Sequence, residues 1–244
     1  MAHIEIHNGM EFEEPMLVEG LPGVGLVGKI VADHLVSTLD MTQYATCFCD
    51  GLPRVAVYEA DNRQVHQPVR IYGDEEKDLL VLQSDVPVSP DSAPDFATCL
   101  AGWFAEENIT PVFLSGLPEQ KDGVPAMYGF GCGDGLTLLD EHDIDQPSEN
   151  GMVSGPTGAL LAEVCERDLA AIGLVVQANK QFPDPEAARI LLVNAIEPLV
   201  DIEVETSKLV EQAEEIAEAR EQLAQKMEQA TGESTQAQPL GMYQ

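Results

Sequence analysis

The strongest constraint on the fold is a regular alternation between short apolar runs and helical stripes over most of the chain. The predicted buried strands are residues 15–18, 45–49, 55–58, 111–114 and 173–176. The predicted amphipathic helices are residues 26–39, 94–108 and 157–171. Strands that alternate with helices pair into a largely parallel sheet with helices on its faces. We therefore predict an α/β fold: a single domain with a mostly parallel central sheet flanked by helices.

Two further patterns complete the predicted organisation. The apolar segments 69–72 and 79–82 flank a charged turn and predict a hairpin. Residues 184–200 predict a helix with Pro185 in its first turn, and residues 202–230 predict a second, strongly acidic helix. The stretch from 232 to 241 has the composition of a flexible tail. The predicted division is a core domain at 1–200, a packing or oligomerisation helix at 201–230 and a tail at 231–244.

The charge of the chain excludes several classes of partner. Asp and Glu outnumber Lys and Arg 43 to 12, which gives a formal charge of −31. Such a surface repels nucleic acid and anionic membranes, so we expect neither as a partner. No apolar run reaches the ~18 residues of a membrane span. The first residues lack the features of a secretion signal, which favours the cytoplasm.

The same acidity indicates an environment of high salt concentration. Acidic residues are spread along a chain that is 44% hydrophobic, which is unlike the composition of a disordered acidic protein. Their mutual repulsion is tolerable where molar salt screens it. We therefore expect a protein from a salt-loving archaeon.

The side chains that could carry catalysis or bind metal form no recognisable set. The five cysteines have no regular spacing, and we interpret them as reduced thiols. Cys47 and Cys49 alternate along a predicted strand and are expected to point to opposite faces, so no metal site is predicted. Asp33 and His34 are expected to form a surface pair. No G-x-S-x-G elbow is present. No catalytic residue and no cofactor are therefore predicted.

The glycine-rich loop after the first predicted strand is consistent with two kinds of nucleotide site and also with simple packing. Residues 23–28 fit G-x-G-x-x-G between a strand and a helix, which is the context of a dinucleotide-binding loop, with Asp50 as a possible ribose partner. The same residues followed by Lys29 resemble a P-loop in which Ile30 replaces the metal-binding hydroxyl. Tight packing between a helix and a strand would also require small residues here. The possible loop site consists of Gly20, Pro22, Gly23, Gly25 and Gly28.

Three turns share the sequence Gly-Leu-Pro after an apolar run. They begin at Gly20, Gly51 and Gly116. If the sheet is largely parallel, all three can lie at its carboxyl edge, where α/β proteins usually hold their sites. Three ordinary strand ends would give the same pattern.

An ordered set of segments resembles the proteasome assembly chaperone 2 family. The segments are 19–28 with 32–35, then 115–118, 155–161 and 184–188, and the resemblance covers roughly residues 12–225. The resemblance implies an α/β fold related to nucleoside-phosphorylase-like sheets, self-association and no established catalytic residues. Some relatives carry an ATP-grasp label, which the defective P-loop does not support.

The resemblance gives meaning to the last three residues. Met242, Tyr243 and Gln244 form a hydrophobic–Tyr–X ending, which looks like the tail by which archaeal chaperones of this family dock between proteasome α-subunits. The sequence therefore predicts a non-enzymatic assembly chaperone or activator-like adaptor that binds these subunits as a homo-oligomer. The alternative is a nucleotide-dependent enzyme, such as an ATP-grasp-like ligase, that uses the loop from Gly23 to Lys29.

Overall fold

Four of the five predicted strands, at 15–18, 45–49, 111–114 and 173–176, lie in one large sheet of the computed structural model, which describes residues 3–49, 52, 55–58, 63–119 and 123–209. The fifth, at 55–58, is not part of this sheet: it has exposed side chains at Val55 and Tyr58 and lies in a two-stranded ribbon. The strands are β1 (His3–Ile6), β2 (Met16–Gly20), β3 (Thr42–Phe48), β4 (Val57–Tyr58), β5 (Val65–His66), β6 (Val69–Asp74), β7 (Leu79–Ser84), β8 (Thr110–Leu117), β9 (Met127–Cys132) and β10 (Ala171–Gln177). Strands β4 and β5 form a separate small ribbon.

The large sheet has the order β1-β3-β6-β7-β2-β8-β10-β9. Its four central strands, β7, β2, β8 and β10, are parallel, and the outer pairs are antiparallel. The hairpin predicted around the charged turn is the β6–β7 pair. The predicted α/β fold is confirmed, and its parallel pairing lies at the centre of the sheet.

Three helices match the predicted stripes at 26–39, 94–108 and 157–171, although the third ends at 166, and the helix at 135–141 was not predicted. The helices are α1 (Val27–Thr38), α2 (Ala93–Glu106), α3 (Gly135–Glu141), α4 (Gly155–Glu166), α5 (Pro185–Leu191) and α6 (Glu197–Val200). A 3-10 turn at Val24–Leu26 precedes α1, and a π-helical turn at Leu192–Ile196 joins α5 to α6. No helix in the described part of the chain is both long and apolar enough to cross a membrane.

Helices cover both faces of the sheet, so the core has two apolar clusters. The first contains the buried side chains of α1 and α5, and the second contains those of α2 and α4. In β2, Val18 belongs to the first cluster and Leu17 to the second, because successive residues of a strand point to opposite faces. Burial on both faces explains why the central strands are continuous apolar runs.

The carboxyl ends of β2, β7, β8 and β10 meet at one edge of the sheet. Two of the Gly-Leu-Pro turns, those that begin at Gly20 and Gly116, lie at this carboxyl edge, as expected. Strand β3 runs in the same direction, but Gly51 and Pro53 of the third turn lie outside the described residues. The connection after β2 leads to β3 on one side, whereas α2 carries the chain from β7 past β2 to β8. The sheet therefore has a topological switch point between β2 and β8.

The chain continues to pack on the domain beyond residue 200. Ile202, Val204 and Leu209 are buried in the first cluster, against the side of the sheet covered by α1 and α5. The helix predicted to begin at 202 does not begin there, because residues 202–206 are irregular and 207–208 form a turn. The remainder of that prediction and the whole predicted tail, residues 210–244, lie outside the described residues.

Candidate functional site

The glycine-rich loop lies at the switch point, and Gly20, Gly25 and Gly28 lie close to neighbouring protein atoms. Gly25 has a φ of +63°, and a Cβ there would lie 3.0 Å from the Cβ of Ala178. A Cβ at Gly28 would lie 3.2 Å from the Glu19 carbonyl oxygen. A Cβ at Gly20 would overlap Ala32 of α1. Three of the five predicted loop residues are thus needed for close packing of a helix on a strand.

The segment after β10 covers this loop. The Asp184 N–H donates to the Gly25 carbonyl oxygen at 2.8 Å. The buried Asp184 carboxylate accepts hydrogen bonds from the N–H groups of Asn179 (2.8 Å) and Ala187 (3.1 Å). The backbone of the loop is therefore held by the residues that begin α5. The two remaining loop residues are more open: Pro22 is half-buried, and a Cβ at Gly23 would meet nothing within 4 Å.

Lys29, which would contact a phosphate in a P-loop, lies between carboxylates. Its Nζ is 2.9 Å from Oδ2 of Asp33 and 3.5 Å from Oδ1 of Asp85. Oδ2 of Asp85 is in turn 2.9 Å from the buried Arg70 guanidinium. Gln83 links the two halves of this network, since it accepts from Arg70 and donates to Asp33. The positive charge at this edge is matched by acidic side chains of the same chain.

Glu19 is the most strongly perturbed carboxyl group at the switch point. It is completely buried near the end of β2. The Thr157 hydroxyl donates to its Oε1 at 2.9 Å, and the Leu114 N–H donates to its Oε2 at 3.3 Å. Burial raises the pKa of Glu19 to about 8, although these hydrogen bonds act in the opposite direction. The group therefore joins β2, β8 and the first turn of α4 as a neutral acid at pH 7.

Sequence reasoning assigned no role to Glu19, although a signal was present. It is an acidic residue inside an otherwise apolar strand, and buried charged groups are rare unless a partner compensates them. Its partner Thr157 is 138 positions further along the chain, so no local pattern could have identified it.

A cavity of about 760 Å³ lies beside α4 at the same edge. Its walls come from β8, β9, β10, α4 and the loop at 147–153, and they include Leu117, Tyr128, Leu161 and Gln177. The lining mixes apolar and amide or carboxylate groups, which suits a small polar molecule or a peptide segment better than a phosphate.

Two expectations about cysteine are wrong. Cys47 and Cys49 share a face, because residues two apart on a strand point the same way, and their sulfur atoms are 3.1 Å apart. The Cys49 thiol, the Cys99 thiol and burial all raise the pKa of Cys47 well above its usual value. Cys132 and Cys165 are not reduced but form a disulfide that joins β9 to α4. Their separation of 33 residues hid this pairing from sequence analysis.

The predicted surface pair on α1 is also wrong. His34 is fully buried, and its Nε2 lies 2.8 Å from the Glu205 carbonyl oxygen. Asp33, in contrast, belongs to the Lys29 network. The histidine therefore fixes the segment that follows α6, from which the chain continues towards its C-terminus. The predicted docking residues Met242, Tyr243 and Gln244, like Asp50, lie outside the described residues.

Comparison with known proteins gives relatives that span nearly the whole chain. The uncharacterized protein MJ0106 of Methanocaldococcus jannaschii is 27% identical over 208 residues, which cover 85% of this chain and 84% of that protein. Pyrococcus furiosus PbaA, described as an archaeal homolog of proteasome-assembly chaperone, has a similar structure. The TM-score is 0.79 at 24% identity, over 95% of this chain and all of that one.

A second Pyrococcus furiosus structure, PbaB, is described as an archaeal proteasome activator. It gives a TM-score of 0.71 at 22% identity, over 93% of this chain and 98% of that one. These two likenesses support the fold. The model of the PAC2 family matches residues 17–224, which confirms the resemblance seen in the sequence. The chain belongs to the PAC2 family.

Proposed function

We propose that this protein is a proteasome assembly chaperone or activator-like adaptor that binds proteasome α-subunits through Met242, Tyr243 and Gln244. It acts as a homo-oligomer in the cytoplasm of a salt-loving archaeon and catalyses no reaction. The observation that carries the proposal is a hydrophobic–Tyr–X ending on a PAC2 chain. The descriptions of PbaA and PbaB as a proteasome-assembly chaperone homolog and a proteasome activator support it.

The chemistry of these three residues suits a docking tail. Tyrosine offers a large amphipathic contact area with little rotamer entropy to lose. Methionine adapts to an apolar slot, and a terminal carboxylate can pair with a basic group in a pocket. On the proposed division of the chain, ten residues from 232 to 241 would give the tail a reach of about 16–19 Å as a random coil.

The described residues support the proposal by fixing where the C-terminal region begins. Leu209 is buried, and Glu197 anchors the preceding segment because its Oε1 accepts from the Val204 N–H at 2.9 Å. His34 holds the same segment from α1. All copies of the protein therefore start residues 210–244 from the same place on the domain, which is what defined spacing between tails requires.

Oligomerisation strengthens the docking mechanism. One tail in one pocket should bind weakly, whereas several tails on one oligomer would raise the avidity by about 10²–10⁴-fold if their spacing matches the ring of α-subunits. The acidic stretch that follows the described residues, predicted to be helical as far as 230, is the proposed element that sets this spacing.

The test is a pull-down with archaeal proteasome α-rings in molar KCl. The full chain is compared with a chain that ends at Gly241 and with Tyr243→Ala. We expect the full chain to be retained and both variants to be lost. Tyr58→Ala is the matched control, because Tyr58 is 79% exposed on the core domain and should not contribute. Equal retention of the full and truncated chains would refute docking by the tail.

The alternative role of the glycine loop as a nucleotide site has no support in its geometry. Gly25 packs against Ala178, and the Lys29 ammonium is paired with Asp33 and Asp85. We therefore expect ATP and NAD to leave the melting temperature unchanged, since a ligand that binds the native state would raise it.

A further inference from the structure

Three cysteine side chains from two separate elements meet on one face of the sheet. Cys47 and Cys49 are buried, and Cys99 is half-buried. Their three sulfur atoms all lie within 4.8 Å of one another. The two other cysteines of the chain are joined in the disulfide, so every cysteine outside the disulfide is in this cluster.

The fold creates the cluster from residues that are distant in sequence. Cys47 lies in β3, and Cys49 is the first residue after this strand. Both side chains point towards the face of the sheet covered by α2. Cys99 lies in α2, one turn after Phe96, which is fully buried against the same face. The packing of α2 on the sheet therefore places the third thiol beside the other two.

The donor atoms select a class of metal ion. Thiolates are soft ligands and favour Cu(I), Zn(II) or iron–sulfur clusters over Mg²⁺ and Ca²⁺, which take oxygen ligands. Although the chain has 43 acidic residues, no Asp, Glu or His belongs to this cluster. Among the described residues, these three cysteines are the one group of three or more side chains close enough together to bind a metal ion. A structural zinc ion needs four protein ligands, whereas three sulfur atoms in apolar surroundings suit an ion of lower coordination number.

We propose that Cys47, Cys49 and Cys99 bind a single Cu(I) ion in a three-sulfur site. With metal–sulfur bonds of about 2.3 Å, as for zinc thiolates, a trigonal site has sulfur atoms about 4.0 Å apart. The Cys47–Cys49 distance of 3.1 Å and the upper limit of 4.8 Å bracket this value. Small rotations of the side chains therefore complete the site.

Binding involves no change of oxidation state. The copper enters and remains as Cu(I), and each thiol that becomes a thiolate ligand releases one proton to solvent. The half-buried Cys99 provides the route by which the ion reaches the two buried sulfur atoms. The bound ion links β3 to α2.

The experiment is an anaerobic titration of the full chain with Cu(I) in competition with a chromophoric chelator, with the three cluster thiols reduced and the Cys132–Cys165 disulfide intact. We expect one tightly bound ion, a thiolate-to-copper charge-transfer band and X-ray absorption from sulfur neighbours only. Loss of a group that only orients a metal ligand costs about 10–100-fold in metal affinity, so loss of the direct ligand in Cys99→Ser should weaken binding by more than about 100-fold. Cys47→Ser should do the same.

The matched control is the double variant Cys132→Ser and Cys165→Ser, which removes two sulfur atoms elsewhere and should bind Cu(I) like the original chain. Circular dichroism of each variant separates loss of the site from loss of the fold, and Cys99, at the rim of the cluster, is the position that best tolerates serine. The proposal is overturned if the chain with reduced cluster thiols binds no Cu(I), if folded Cys99→Ser binds it equally well, or if nitrogen or oxygen neighbours dominate the absorption spectrum.

Discussion

Replacement of Glu19 by glutamine tests whether the buried carboxyl at the switch point is neutral. Glutamine has the same shape as the protonated acid. Its carbonyl oxygen can accept from the Leu114 N–H, and its amide can donate to the Thr157 hydroxyl oxygen, so the contacts of β2 with β8 and α4 are kept. What the variant loses is the ability to ionise.

The size of the effect follows from the change in pKa on folding. The pKa of Glu19 rises from 4.5 to about 8 when the chain folds. Below pH 4.5 both states are protonated and burial carries no ionisation penalty. Between pH 4.5 and 8 the native state holds a proton that the unfolded state has lost, so the free energy of unfolding falls as the pH rises, by about 1.4 kcal/mol per unit. Above pH 8 the penalty is constant at about 5 kcal/mol.

The assay is urea unfolding of both proteins in molar KCl at several pH values from 5 to 8. Salt screens the exposed carboxylates and leaves the buried one largely unaffected. The other titrating groups are common to both proteins and cancel in the difference. We expect Glu19→Gln to gain about 4 kcal/mol relative to the original chain between pH 5 and 8.

A control separates burial from the loss of one negative charge. Glu119 is exposed at the same edge of the sheet, so the profile of Glu119→Gln should run parallel to that of the original chain. If the profile of Glu19→Gln is also parallel over this range, Glu19 is not held as a neutral acid and the reasoning from burial fails.

Three further substitutions test the packing at the loop and at the start of the C-terminal region. Gly25→Ala should lower the free energy of unfolding by roughly 1–2 kcal/mol, because an alanine is strained at a φ of +63°. Gly23→Ala, in open space, should change it by less than about 0.5 kcal/mol, and equal losses in urea unfolding would contradict this account. His34→Ala should cost about 1–3 kcal/mol, because the buried hydrogen bond with the Glu205 carbonyl is lost. Limited proteolysis should then cut faster near residue 205, and an unchanged cleavage rate would show that His34 does not hold this segment.

The parts of the fold that sequence analysis predicted are those in which local pattern and final burial agree. The central strands are buried on both faces, so each appears as an apolar run that needs no knowledge of its neighbours. The β6–β7 hairpin was predicted because its turn and both strands lie within sixteen residues of one another. The edge strands β1 and β9 gave no such signal. In β9, glycines at 129 and 131 interrupt the apolar pattern. A side chain at Gly129 would collide with Leu139, and one at Gly131 would collide with the backbone of Ala171.

The side-chain pairings that join helices and loops to the rest of the domain could not be predicted because their partners are distant in sequence. Glu19 meets Thr157, His34 meets Glu205, and Cys132 meets Cys165 only after the helices have packed on the sheet. The Cys47–Cys49 contact is different in kind. Cys47 is in β3 and Cys49 is the first residue after that strand, so the two-residue period alone places them on a common face.

The glycine-rich loop shows what such a motif does and does not specify. Glycines at the start of α1 allow other atoms to approach the backbone closely. The approaching atoms can belong either to a bound phosphate or to the protein itself. The choice between the two depends on charge. A phosphate needs unpaired positive charge, whereas Asp33 and Asp85 are paired with Lys29 in a chain that has only 12 basic residues. At Gly25 the close neighbour is Ala178, at the end of a strand more than 150 positions away. The loop therefore packs α1 against the sheet and against the segment that follows β10.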